Sequence, residues 1–209
     1  MKRTICAVLS SVVLVSLMTS SISALAQDNA STKAPAAAPA AAAPTSGVRA
    51  EFLNELKIQE DKFVQLAQAM PAGKYTWRPA DGVRSVSEVY LHVATANYNL
   101  PHVFGVAPPP DFKVAGFDKS TTDKAKVIDI LKDSFAHMRQ VVLNMPDADT
   151  EKQLDWFGAK NTYRGVMLFI IRHGAEHLGQ SIAYARMNGV TPPWTEEQQA
   201  QKKQGEKPK

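Results

Sequence analysis

Four stretches of the chain carry apolar residues at near-helical spacing, and a proline or a polar cap bounds each one. Phe52, Leu56, Phe63, Leu66 and Met70 predict a first helix from about Val48 to Met70, which Pro71 ends. Gln59 interrupts that stripe. A second helix begins at Ser85, where Ser85-Val86-Ser87-Glu88 reads as a capping box. There a hydroxyl and a carboxylate satisfy backbone N–H groups that a helix start leaves free. Val86, Val89, Val93, Ala96 and Leu100 form its apolar face, and Pro101 kinks or ends it. The third helix starts near Ser120 to Asp123 and runs to Met145, with Val127, Leu131, Met138, Val142 and Met145 facing a core. The fourth runs from about Thr162 to Asn188-Gly189, with Pro192 and Pro193 beyond. No stretch alternates strongly enough to demand a sheet. The expected fold is therefore all-α: a single four-helix bundle in which the Pro-rich segment between Gly105 and Gly116 crosses one end.

The first 47 residues follow a different pattern. Lys2 and Arg3 precede an apolar run from Ile5 to Met18, too short to span a bilayer comfortably, and Ala24-Leu25-Ala26 supplies a small-residue cleavage signal. Residues 1–26 thus read as a signal peptide, and the expected location is periplasmic or secreted. No second long apolar run follows, so no stable membrane insertion is expected after cleavage. The single cysteine, Cys6, lies inside this signal. The mature chain is expected to have neither a disulfide nor a thiolate-ligated metal. Residues 27–47 are dominated by Ala, Pro, Ser and Thr and read as a disordered linker. The domain proper is expected over residues 48–193, with a polar basic tail over 194–209. Charge adds little. The net charge is +4, and loss of Lys2 and Arg3 with the signal leaves 22 basic against 20 acidic residues. Without a basic stripe carrying interleaved aromatics, no nucleic-acid partner is expected.

Candidate chemistry concentrates in the fourth helix. The chain has five histidines: His92, His102, His137, His173 and His177. His173 and His177 stand four residues apart, so on a helix they project from one face, one turn apart, at a spacing that lets two imidazoles bind one metal ion. Val166, Ile170, Ser181 and Tyr184 share that face. The plainer alternative is two polar aromatics on a wet face. His92, one turn after Glu88, could face the same interior, whereas His102 and His137 read as exposed or capping residues. Gln180 could orient His177, and Tyr98 or Tyr184 could reach the pocket. Trp77, Trp156 and Trp194 read as packing residues at bundle ends. Asp155 and Asn161 read as turn formers in a polar connection.

Taken together, Trp77-Arg78-Pro79-Ala80-Asp81-Gly82, then Ser85-Val86-Ser87-Glu88-Val89 with His92, and finally His173-x-x-x-His177-x-Gly179-Gln180 resemble the DinB-like metalloprotein superfamily. The resemblance covers about Val48 to Gly189. It implies a four-helix bundle of up-down-down-up connection. It also implies a divalent metal (zinc, nickel or iron foremost) held by His92, His173 and His177. Some members resemble thiol-dependent transferases. The export signal departs from their cytosolic setting, because low-molecular-weight thiols are not expected at useful levels outside. The resemblance therefore implies an exported metal-binding protein, a metal-dependent hydrolase or transferase acting on a small molecule the sequence does not name. The alternative is a non-catalytic periplasmic protein that holds a metal or small ligand. A homodimer is left open. His173-Gly174-Ala175-Glu176-His177 also matches the His-x-x-Glu-His signature of inverted zinc proteases, in which the glutamate activates water. Only thirty-two residues follow His177, and their carboxylates lie in a polar segment.

Overall fold

The computed structural model describes residues 43–205 of the 209-residue chain. The signal-peptide expectation and all but the last residues of the expected linker lie outside the described residues. Among those described, five helices form in chain order: α1 (Gly47–Ala69), α2 (Val86–Asn99), α3 (Lys124–Asn144), α4 (Tyr163–Met187) and α5 (Pro193–Gly205). A hairpin of β1 (Gln153–Trp156) and β2 (Ala159–Thr162) lies between α3 and α4. The fold is mostly helical, and no described helix is long and apolar enough to cross a membrane.

The capping box anticipated from sequence forms, and two other helices are capped by their own side chains. Ser85 Oγ accepts from the Glu88 N–H, and Glu88 Oε2 accepts from the Ser85 N–H at 2.8 Å, completing the capping box of α2. Asp123 accepts from Lys126 N–H at the start of α3, and Thr162 accepts from Gly165 N–H at the start of α4. Two further caps come from neighbouring helices. Arg49, buried near the start of α1, donates through Nε to the Val142 carbonyl and through Nη2 to the Leu143 carbonyl, in the last turn of α3. Lys124, first in α3, donates to the carbonyls of Gln68 and Met70 where α1 ends. Each cation satisfies carbonyls that have no partner within their own helix.

Phe52, Leu56, Phe63 and Leu66 of α1, Val89 and Val93 of α2, Leu131, Phe135 and Met138 of α3 and Val166 and Ile170 of α4 form one core. Both α1 and α2 pack against both α3 and α4. Gln59 does not interrupt the buried stripe of α1. It occupies a position in that stripe, and its Nε2 donates to the Ile171 carbonyl at 2.8 Å.

One expectation needs correction. The chain is not purely helical, because a hairpin closes through Phe157 and Gly158. Both have positive φ (49° and 81°), as a two-residue turn of the I′ kind requires. Each strand is four residues long, too short to impose an alternating pattern that stands out from a loop. The expected polar tail is also helical as far as residue 205. Pro192 and Pro193 lie beyond α4, as the sequence implies, and Pro193 occupies the first position of α5, where a fixed φ and a missing N–H cost nothing. Trp194 packs on the core, with Lys62 Nζ 5.8 Å from its ring centre.

Candidate metal centre

Helices α2 and α4 bring three histidines together. His173 and His177 lie one turn apart on α4, and α2 presents His92 to them. The ring centres of His92 and His177 are 4.6 Å apart, those of His173 and His177 4.6 Å, and those of His92 and His173 5.1 Å. One nitrogen from each ring lies within 4.8 Å of the other two, so the trio could hold a metal ion. His92 Nε2 and His173 Nε2 are 3.2 Å apart. A tetrahedral ion with metal–nitrogen bonds of about 2.0–2.1 Å places its ligand nitrogens roughly 3.3 Å from one another, so this pair already has the required separation.

The electrostatics favour neutral imidazoles. Burial, followed by the Arg84 charge and the neighbouring histidines, holds His92 down to about 4. Burial and then His177 hold His173 down to about 4, with Arg84 adding to the effect and Glu176 opposing it. Both rings therefore keep a lone pair available at neutral pH, which is the form a metal binds.

A hydrogen-bonded chain fixes the third ring. His177 Nδ1 lies 2.9 Å from Gln180 Oε1, an arrangement that gives Nδ1 the proton and leaves Nε2 for a metal. Gln180 Nε2 donates to Tyr184 Oη at 2.9 Å, and Tyr184 Oη donates to the Arg84 carbonyl at 3.1 Å. Ser181 Oγ donates to the His177 carbonyl. Tyr184 thus acts through Gln180, while Tyr98 packs away from the site against Phe112, Phe117 and His137. On the other flank the Phe169 ring stacks on His173, with centres 6.0 Å apart, and Trp156 of the hairpin packs against Phe169. Behind the site, Gly174 lets Gln59 approach: a Cβ there would fall 2.0 Å from Gln59 Oε1.

Sequence reasoning missed the support from Gln59 and Gly174, from Arg84 and from Phe169. A glutamine inside an otherwise apolar stripe was the one signal available. The structure keeps the remaining histidines apart from the trio. His102 is exposed, with Nδ1 2.5 Å from the Asn99 carbonyl. His137 is partly buried rather than exposed or capping. Its Nε2 has no hydrogen-bond partner, and burial lowers its pKa. Glu176 points to solvent beside Arg172, 3.7 Å away. It is not among the residues that cluster with the three rings. Trp77 meets Tyr184 edge-on at 5.3 Å, a packing role as expected. Asp155 and Asn161 belong to the hairpin, in β1 and β2 respectively.

The family model described as DinB superfamily matches residues 55–181, a span that contains all three histidines. The chain belongs to the DinB superfamily. Two solved DinB-like proteins share the fold. One, from Bacillus cereus, is 18% identical, with a TM-score of 0.60 over 68% of this chain and 93% of its own. The other, YjoA from Bacillus subtilis, is 19% identical, with a TM-score of 0.54 over 68% of this chain and 93% of its own. Comparison with curated proteins gives no match.

Proposed function

We propose that this DinB-superfamily protein is an exported metalloprotein in which His92, His173 and His177 hold one divalent ion and leave coordination positions open to water or a small ligand. The observation that carries this reading is the convergence of three ring nitrogens from two helices within 4.8 Å. Zinc, nickel and iron all suit three imidazoles. Such an ion lowers the pKa of a bound water or thiol and so supplies a nucleophile at neutral pH, which suits a hydrolase or transferase. A second reading is a non-catalytic protein that holds a metal or small ligand, and the solvent-facing position of Glu176 beside Arg172 is the observation that supports it.

The architecture we infer is the up-down-down-up four-helix bundle of residues 48–193. The reciprocal caps Arg49–Val142 and Lys124–Met70 support α1 and α3 running antiparallel. The contacts Arg84–Tyr184 and His92–His173 support α2 and α4 doing the same. For export, the motif over residues 1–26 is the support. The mature chain is expected to begin at Gln27 in the periplasmic or secreted fraction, and an intact Met1 terminus on cytosolic protein refutes this.

Calorimetric titration of the metal-free protein with Zn²⁺ tests the centre. His92→Ala, His173→Ala and His177→Ala should each weaken binding by orders of magnitude, because each removes a coordination bond. His102→Ala and His137→Ala should bind as the parent does. Parent-like affinity in His92→Ala overturns the three-histidine reading.

A further inference from the structure

Only two of the buried residues of α1 are polar, Arg49 and Gln59. Arg49 is spent on the end of α3, whereas Gln59 reaches α4. Its Nε2 donates to the Ile171 carbonyl at 2.8 Å. Ile171 lies inside α4, where the helix ladder uses one lone pair of each carbonyl, so the glutamine takes the second. The same amide rests its Oε1 against Gly174: a Cβ at that position would fall 2.0 Å from Oε1 and 2.9 Å from Cδ. Gln59 therefore straddles one turn of α4, bonded to a carbonyl at one end and seated on a bare Cα at the other.

That turn carries the candidate ligands. His173 comes immediately before Gly174, and His177 follows three residues after it. Both α1 and α2 pack on α4, so Gln59 grips the helix from α1 while His92 meets it from α2. Apolar contacts are non-directional, and repacked apolar cores lose a unique arrangement before they lose stability. A hydrogen bond weakens steeply once it leaves its line, so it restrains rotation as well as distance. The demand on rotation is severe. With a helix radius of about 5–6 Å, a turn of α4 by about 10° moves a ring nitrogen by roughly 1 Å. Metal–ligand bonds accept a departure of only about 0.2 Å.

We propose that Gln59 is a positioning residue of the metal centre: with Gly174 it sets the rotation of α4 and so directs His173 and His177 towards His92. This role presupposes the three-histidine metal reading, and Gln59 acts only through α4. The full chain, freed of metal, is titrated with Zn²⁺ by calorimetry and with Co²⁺ by absorption, whose bands report the arrangement of the ligands. Gln59→Met keeps the length and loses the donor, and the Ile171 carbonyl keeps its helical partner. Helix content and the metal-free urea midpoint should therefore stay near the parent. Zn²⁺ should bind at least about tenfold more weakly, the scale on which partners outside the ligand shell act, and the Co²⁺ bands should shift. Gly174→Ala sets a methyl group against Oε1 and should weaken binding in the same way. In a Gln59→Ala background that space is free, so adding Gly174→Ala should cost little more. This pair of comparisons carries the test if Gln59→Met does not fold.

A parent that binds neither ion overturns the metal reading and the role of Gln59 with it. A parent that binds both, with parental Zn²⁺ affinity and Co²⁺ bands in Gln59→Met, overturns the positioning role alone. A lowered urea midpoint with affinity and bands unchanged does the same, and leaves Gln59 a packing residue. Equal losses from Gly174→Ala with and without Gln59 also overturn it, because the two residues then act separately.

Discussion

At the scale of single residues, the partners of each ring decide what it can do. His177 has its Nδ1 engaged by Gln180, which is in turn held by Tyr184. A neutral imidazole can offer Nε2 to a metal only if Nδ1 carries the proton, and an acceptor at Nδ1 fixes that tautomer. Gln180→Leu removes the acceptor while keeping the bulk. Metal affinity should fall about 10- to 100-fold, the usual cost of losing such an outer partner, with helix content unchanged. Calorimetric titration with Zn²⁺ checks this, and unchanged affinity removes Gln180 from the account. Glu176→Gln should leave metal affinity and any turnover close to the parent, because the carboxylate faces solvent beside Arg172. Loss of turnover with metal retained would revive the inverted-protease reading. The pair His173 and His177 was legible from spacing alone, since four residues is one helical turn. His92 was not, because its partners lie some eighty residues away and only the packing of α2 on α4 unites them.

At the scale of elements, legibility followed length and cap chemistry. The four long helices announced themselves by stripe, cap and proline, and α2 starts at the box Ser85–Glu88 as its residue types require. The hairpin stayed hidden because its turn uses Phe157 where Asn or Asp is favoured. Phe157 adopts φ 49° with its side chain 85% exposed. A bulky residue in the left-handed region costs about 1–2 kcal/mol, and a ring this exposed recovers little by packing. Its main contact is an edge-on approach to Trp156, with ring centres 4.7 Å apart. Phe157→Asn should therefore stabilise the protein by about 0.5–1 kcal/mol, the relief of backbone strain outweighing one exposed aromatic contact. Urea unfolding followed by circular dichroism measures the difference. A destabilised variant would show that the ring contributes more to the hairpin than its exposure suggests. Pro193 carries a double signal: the same residue type ends one helix and opens the next, and only the packing of Trp194 on the core distinguishes the two.

At the scale of the whole molecule, the metal centre couples to folding. In the metal-free protein His92 and His173 are held down to about 4, against an ordinary value of 6.5, because burial, the neighbouring histidines and Arg84 penalise their charged forms. The unfolded chain takes up protons on these residues as pH falls below about 6.5, while the folded chain resists until about 4. The unfolded state binds more protons across that window, so the stability tied to these two rings is fully present above about 6.5. It is lost progressively as pH falls towards 4. Metal-free parent protein should accordingly need less urea to unfold at pH 4.5 than at pH 7. His92→Ala should show a shallower dependence, because one of the two groups has gone. A bound divalent ion adds stability by mass action, about 2.7 kcal/mol at a free concentration one hundred times the dissociation constant. It occupies the lone pairs that protons would take, so this increment should be large at pH 7 and shrink as pH approaches 4. Unfolding midpoints measured with and without Zn²⁺ from pH 4 to 7 check the sign. A metal increment that stays constant across this range would mean that the ion does not bind through neutral His92 and His173.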